Sequence, residues 1–259
     1  MINKFFTVSV KPTIPAYIQH AGQYSGGDVL FDWTAVQIPK GSCLLRSVTA
    51  MFKPKGDATP TANRFGFELL FSSTDTVSLG TLHANVAHTP SSDFLGRIEF
   101  EAANFAHTSV TSTAVATSGK GSNTGMDLGP IVLTPKLTDA VNDAYNTPGY
   151  DTVYVGGVAT SADIDFSTIN RVNETDAAAG TQSVITMDGS GMDITEHFAV
   201  GDILHGHDGS GTDDVVLGEV LSVDSATQFT LTAGTTGALR EDDFVYDVNP
   251  IKLVLSFEK

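Results

Sequence analysis

Cysteine is almost absent from this chain. Cys43 is the only one in 259 residues, which excludes an intrachain disulfide framework. It lies in the apolar run CLLRSV, where a free cysteine behaves as a small buried hydrophobe. Basic residues are scarce as well. Fourteen Lys and Arg stand against 30 Asp and Glu, a formal charge of −16. That balance argues against nucleic acid or an anionic membrane as the main partner, since both call for a basic surface. No apolar run approaches the roughly 20 residues of a membrane span. The start, with Lys4-Phe5-Phe6, lacks the apolar stretch of about 7–15 residues found in a secretory signal, so synthesis and folding in a cytosol are expected. Long stretches with a period of 3.6 are nearly missing, and the class expected is all-β.

What the chain does contain is a core. Hydrophobic residues make up 41% of it, too many for wholesale disorder. The stretch from Gly26 to Phe71 is its spine. Phe65, Phe67, Leu69 and Phe71 fall on one face of a run with period two, the mark of a half-buried strand. Leu44, Val48, Ala50 and Phe52 form a second run, and Val29 to Ile38 a third. These three are expected to lie side by side in one antiparallel sheet that buries a face on a second sheet. Further strands are expected at residues 5–10 (FFTVSV), 97–100, 131–133 and 152–158. Leu79 to Ala87 is open between strand and short helix, and Leu137 to Tyr145 is the best candidate for a short helix. Glu101 to Asp127 is rich in Ala, Ser, Thr, Gly and Asn and has little to bury. It is expected to be mobile or to serve as a contact arm.

The last strand, residues 251–257, alternates cleanly after a different kind of sequence and is expected to close the first sandwich. The region before it has short strands and tight Gly/Asp/Ser turns, the pattern of a small closed barrel of about five strands. Charge separates the two parts. Residues 1–150 hold 11 acidic and 10 basic side chains, whereas residues 151–259 hold 19 and 4. The expected fold is therefore a jelly-roll-like antiparallel β-sandwich with an inserted small SH3-like β-barrel. The sandwich takes residues 1–162 plus 249–259, the acidic barrel residues 180–248, and a connector residues 163–179.

No catalytic, cofactor-binding or metal-binding residue is assigned. His205-Gly206-His207-Asp208 places two imidazoles on one side of a strand, but no further ligand motif accompanies it, and a surface loop is the reading preferred. Asp208 to Asp214 lacks the alternating pattern and distal Glu of a calcium loop and reads as a hairpin loop. Glu241-Asp242-Asp243 reads as a solvated acidic loop. Ser118 to Ser122 lacks the frame of a phosphate loop, no G-x-S-x-G elbow occurs, and no pair of carboxylates is singled out. Asn173-Glu174-Thr175 is a glycosylation sequon only in a secreted protein.

Two stretches carry a resemblance. GGDVL, the IPKGS turn, LLRSVTAMF, FGFELLF, SLGTLHANV and FLGRIEF, over residues 24–105, resemble β-sandwich structural proteins of tailed bacteriophages. FAVGDI (198–203) and LGEVLSVDSATQFTLT (217–232), followed by AGTTGAL, resemble a small β module of phage virion proteins. The acidic loop before Val215 departs from that module's tighter turn. The resemblance implies a non-enzymatic virion protein assembled in the host cytoplasm. A capsid decoration (cement) protein that binds the major capsid protein lattice is preferred. A tail, neck or fibre component is the alternative, as is a carbohydrate-binding host-surface adhesin. Its implied partners are the major capsid protein or other virion proteins, together with copies of itself, a trimer among the arrangements open. No nucleic acid, membrane or cofactor is expected.

Overall fold

The computed structural model describes residues 4–53, 65–87, 93–107, 113–119, 131–135, 149–162, 164–166, 183–188 and 193–259. The expected helix at Leu137 to Tyr145 and the sequon lie outside them. The described chain is nearly all β. Its first nine strands are β1 (Phe5–Val10), β2 (Val29–Pro39), β3 (Cys43–Phe52), β4 (Phe67–Ser72), β5 (Phe94–Phe100), β6 (Ala106–His107), β7 (Ala114–Gly119), β8 (Ile131–Leu133) and β9 (Tyr150–Ala159). They are followed by β10 (Val184–Thr186), β11 (Ile203–His207), β12 (Val215–Ser225), β13 (Gln228–Leu231), β14 (Phe244–Asp247) and β15 (Ile251–Glu258). One short helix, α1 (Ala16–His20), sits between β1 and β2.

The strands sort into three antiparallel sheets. One runs β1-β15-β3-β7-β6, with β8 also pairing with β3; a second runs β2-β9-β4-β5; a third runs β10-β13-β12-β11-β14. If the long strands of the first two sheets are numbered one to eight along the chain, the sheets read 1-8-3-6 and 2-7-4-5. That is the connectivity of a jelly roll, two Greek keys folded face to face. The closing strand β15 pairs with both β1 and β3. The expectation that the three strands of the spine are neighbours fails. β2 and β4 share a sheet with β9 between them, and β3 lies in the opposite sheet. A period of two fixes which side chains face inward but not which strand lies alongside.

The core between the sheets is aromatic. Phe67 stacks on Phe100 with ring centres 5.2 Å apart, and Phe52 packs edge-on against Phe65 at 4.1 Å and Phe67 at 5.2 Å. Phe65, Phe67, Leu69 and Phe71 are all buried, on the face their spacing assigns. Burial of each such side chain stabilises by about 1.5–3 kcal/mol. Two adjacent glycines in β9 let large groups lie flat on both sides of the sheet. A Cβ at Gly157 would come within 2.2 Å of the Phe31 ring, and one at Gly156 within 2.3 Å of Leu79.

The segment expected to be an unordered arm is in part a strand of this sandwich. β7 pairs with β3 over six residues, with Phe52 opposite Ala114 and Ala50 opposite Ala116. Ala114 and Ala116 are buried, and Phe105 joins the aromatic cluster 5.0 Å from Phe52. At Ala114 a small side chain fits because its partner across the ladder, Phe52, is bulky. Leu79 to Ala87 is neither strand nor helix; isolated bridges hold it, Leu82 to Val29 and Asn85 to Asp28.

The third sheet has its own core, which includes Ile185, Phe198, Leu204, Leu217, Phe229 and Val245. β12 bends, pairing with β11 along its first part and with β13 along its second, with two register shifts on the β13 side. The closed barrel expected from the sequence is instead an open sheet. Among the described residues no ladder joins β10 to β14. These end strands have only three and four residues, and β14 packs on α1 and leads almost at once into β15.

Candidate functional site

The His205/His207 pair is not a surface loop. Both lie on β11, and the two-residue period turns them to one side while Gly206 faces Leu239 in the core. They meet α1 through Asp214. Its carboxylate accepts hydrogen bonds from the Ala16 and Tyr17 backbone amides at 2.7 and 2.8 Å. His205 Nδ1 and His207 Nδ1 each lie 3.7 Å from one oxygen of the same carboxylate. His207 Nδ1 donates to the Asp213 carbonyl at 3.2 Å, which fixes its proton on that nitrogen. His20, at the end of α1, places its ring 4.4 Å from Phe244 and 5.1 Å from His207, with Nδ1 2.9 Å from the Tyr246 hydroxyl. The cluster is a packed seam between the first connection of the sandwich and the third sheet. Among the described residues no group of three or more His, Cys, Asp or Glu is arranged to hold a metal ion.

A second contact crosses the same seam. Lys53, at the end of β3, pairs with Asp202 and Asp247 of the inserted unit. Burial pushes the Asp247 carboxyl up from its ordinary value, Lys53 pulls it back down, and Asp202 adds a further upward push. Backbone bonds frame the pair. Ile14 N donates to the Val248 carbonyl at 2.7 Å and Lys53 N to the Pro250 carbonyl at 3.0 Å. Nothing in the sequence brings residues 16, 53, 202 and 214 together; only the folded chain does.

The remaining candidates have structural uses. Asp208 to Asp214 is the loop of the β11–β12 hairpin, turned by Asp208, whose carboxylate accepts from Ser210 N at 2.8 Å and Ser210 Oγ at 3.0 Å. Asp243 is buried and accepts from Arg240 N at 2.7 Å. Ser118 and Gly119 end β7, and Ser118 is buried. Cys43 is buried too, and burial pushes its thiol up to about 11. Trp33 is half-buried, and its indole N–H donates to the Val77 carbonyl at 2.8 Å. It anchors the segment after β4 against the outside of the second sheet.

What distinguishes the sandwich chemically is the outer face of its first sheet. Register aligns Thr7, Ser256, Ser47 and Gly119 in one row, and Ser9, Val254, Thr49 and Thr117 in the next. Thr49 and Thr117 hydroxyls are 3.0 Å apart. Met51 and Val115 extend the surface, with Lys252 at one margin and the Arg46–Glu258 pair at the other. No carboxylate interrupts the two rows. The outer face of the second sheet differs: Glu68, Arg97 and Glu99 stand on it, with Arg97 and Glu68 2.8 Å apart.

No family model matches the chain, and no curated protein matches it. Among solved structures, the crystal structure of the STIV MCP aligns over 98% of this chain and 96% of that one, at 9% identity and a TM-score of 0.16. An overlap that slight carries no argument about fold or function.

Proposed function

We propose that this chain is a non-enzymatic structural protein of a tailed-phage particle, a decoration protein that binds the major capsid protein lattice and further copies of itself. The observation that carries this reading is the neutral, hydroxyl-lined outer face of the β1-β15-β3-β7 sheet on a chain of net charge −16. A flat surface of Ser, Thr, Val and Met offers hydrogen bonds and apolar contact without charges to desolvate. The two phage-like stretches of sequence point the same way, and jelly rolls recur in viral capsids as well as lectins. The acidic third sheet, set at the end of the sandwich, stays solvated and keeps particles apart by repulsion.

The test is cosedimentation of the purified protein with particles that lack it, paired with peptide mass spectrometry of complete particles. Saturable binding that survives moderate salt is expected, because exposed charge pairs are screened within about 8–10 Å and neutral contacts are not. Absence of the chain from purified particles would refute the reading. So would a hydrolytic activity abolished by changing a single carboxylate.

A further inference from the structure

We infer that β1 is the site at which two copies of this chain join, edge to edge and antiparallel, about a two-fold axis. Lys4 and Lys259 exchange both backbone bonds, at 3.1 and 2.9 Å, so the bonded pairs of the β1–β15 ladder are residues 4, 6, 8 and 10 of β1. The N–H and C=O groups of Phe5, Thr7 and Ser9 therefore point away from β15, and no hydrogen bond among the described residues reaches them.

Proteins blunt such edges with charge, proline, bulges or short length. Most of the other sheet edges among the described residues carry these devices. β2 has Asp32, Pro39 and two register shifts; β5 has Arg97, Glu99 and one shift; β6, β10 and β14 are two to four residues long. β1 has six residues, an unbroken register, no charge and no proline. It also carries Phe5, 72% exposed, the most exposed large hydrophobic side chain described.

The occupant that fits is a second β1. Antiparallel pairing centred on Thr7 sets Phe5 against Ser9 of the partner copy and Thr7 against its own counterpart, using all three outward residues. Lys4 then faces Val10 of the other copy, so no lysine meets a lysine. The arrangement is self-complementary, as a two-fold contact must be. It also makes the two hydroxyl-lined faces one surface. From strand spacing and rise, one face covers on the order of 400 Å². Two together approach the roughly 800 Å² that one partner contributes to a standard interface. The geometry stands by itself; only this use of the doubled face rests on the decoration reading.

Sedimentation equilibrium of the free protein tests it. The expected species is a dimer of the 27.2 kDa chain. Thr7→Lys, which sets two like charges face to face, should weaken the dimer about tenfold or more. Thr7→Pro, which removes an outward amide and no β1–β15 bond, should do the same. Circular dichroism shows whether each variant is folded, and if the proline variant is not, the lysine variant decides. A monomeric wild type, a trimer, or a dimer indifferent to Thr7→Lys overturns the pairing. Particle binding by such a protein would leave the decoration reading standing, and a dimer absent from particles would do the reverse.

Discussion

The sandwich and the inserted sheet differ in what holds them and in what they show to water. The sandwich is filled by interlocking phenylalanines, whereas the inserted sheet packs mostly aliphatic side chains around Phe198 and Phe229, 5.5 Å apart. The first 150 residues are nearly charge-balanced; the rest carry 19 acidic against 4 basic side chains. A small core under repulsive charge gains less from burial than a large neutral one. The seam supplies part of the difference, since Lys53 and the α1 amides bring positive charge and hydrogen-bond donors to Asp202, Asp214 and Asp247. The sandwich is therefore expected to fold without the insertion, and the insertion to lean on the sandwich.

The largest perturbation tests that asymmetry. Replacing residues 180–248 by a short linker should leave a β-rich product with a cooperative melt, since both closing ladders of β15 lie within the sandwich. A product that is unfolded by circular dichroism would show that the two parts are one cooperative unit. Among single changes, Phe67→Ala should cost about 3–5 kcal/mol, the range for a fully buried Phe. Denaturant unfolding that shows less than about 1 kcal/mol would mean that the aromatic cluster is not the centre of the core.

Lys53→Met should cost about 3 kcal/mol near neutral pH, because it leaves two mostly buried carboxylates without their cation. Its pH dependence has a fixed sign. Asp247 has a raised folded-state pKa, so above its ordinary value the native state binds more protons than the unfolded one, and stability falls as pH rises. Loss of Lys53 removes a downward pull on that pKa and widens the window. The gap between variant and wild type should then shrink on acidification toward the ordinary carboxylate range, and Asp247→Asn should restore part of the loss. A gap that grows on acidification would contradict the assignment. Gly157→Ala should cost about 1–3 kcal/mol in a thermal melt, because its methyl would meet the buried Phe31 ring.

Much of this architecture was legible in the residues. Period-two alternation marks β1, β4 and β15 and assigns Phe67 and Leu69 inward. Other parts were not, for physical reasons. Alternation in FELLF and LLRSVTAMF fixes faces but carries no record of which sheet each strand joins. Residues 101–127 look too poor in apolar groups to order, yet Ala114 is small because it faces Phe52 across the ladder, a pairing some 60 residues away in sequence. His205 and His207 look like loop residues until α1, almost 200 residues earlier, covers them. The neutral outer face was also hidden, since Ser9, Val254, Thr49 and Thr117 become one row only through register.

That row gives the smallest expected effect on stability and the sharpest contrast between the two outer faces. Thr49→Glu and Thr117→Glu each remove one partner of a half-buried hydroxyl pair at the surface, so each should change stability by no more than about 1 kcal/mol. If the face docks on a protein lattice, however, a carboxylate placed there must be desolvated without a partner, which costs several kcal/mol of binding. Particle binding should therefore fall by a hundredfold or more while the melt barely moves. Glu99→Lys on the second sheet reverses a charge that is already solvated and should change neither. Losses from the two glutamate variants mirrored by a gain from Glu99→Lys would mean that overall charge governs attachment, since that change makes the chain less negative. Undiminished binding by both glutamate variants would remove the first sheet's outer face from the contact.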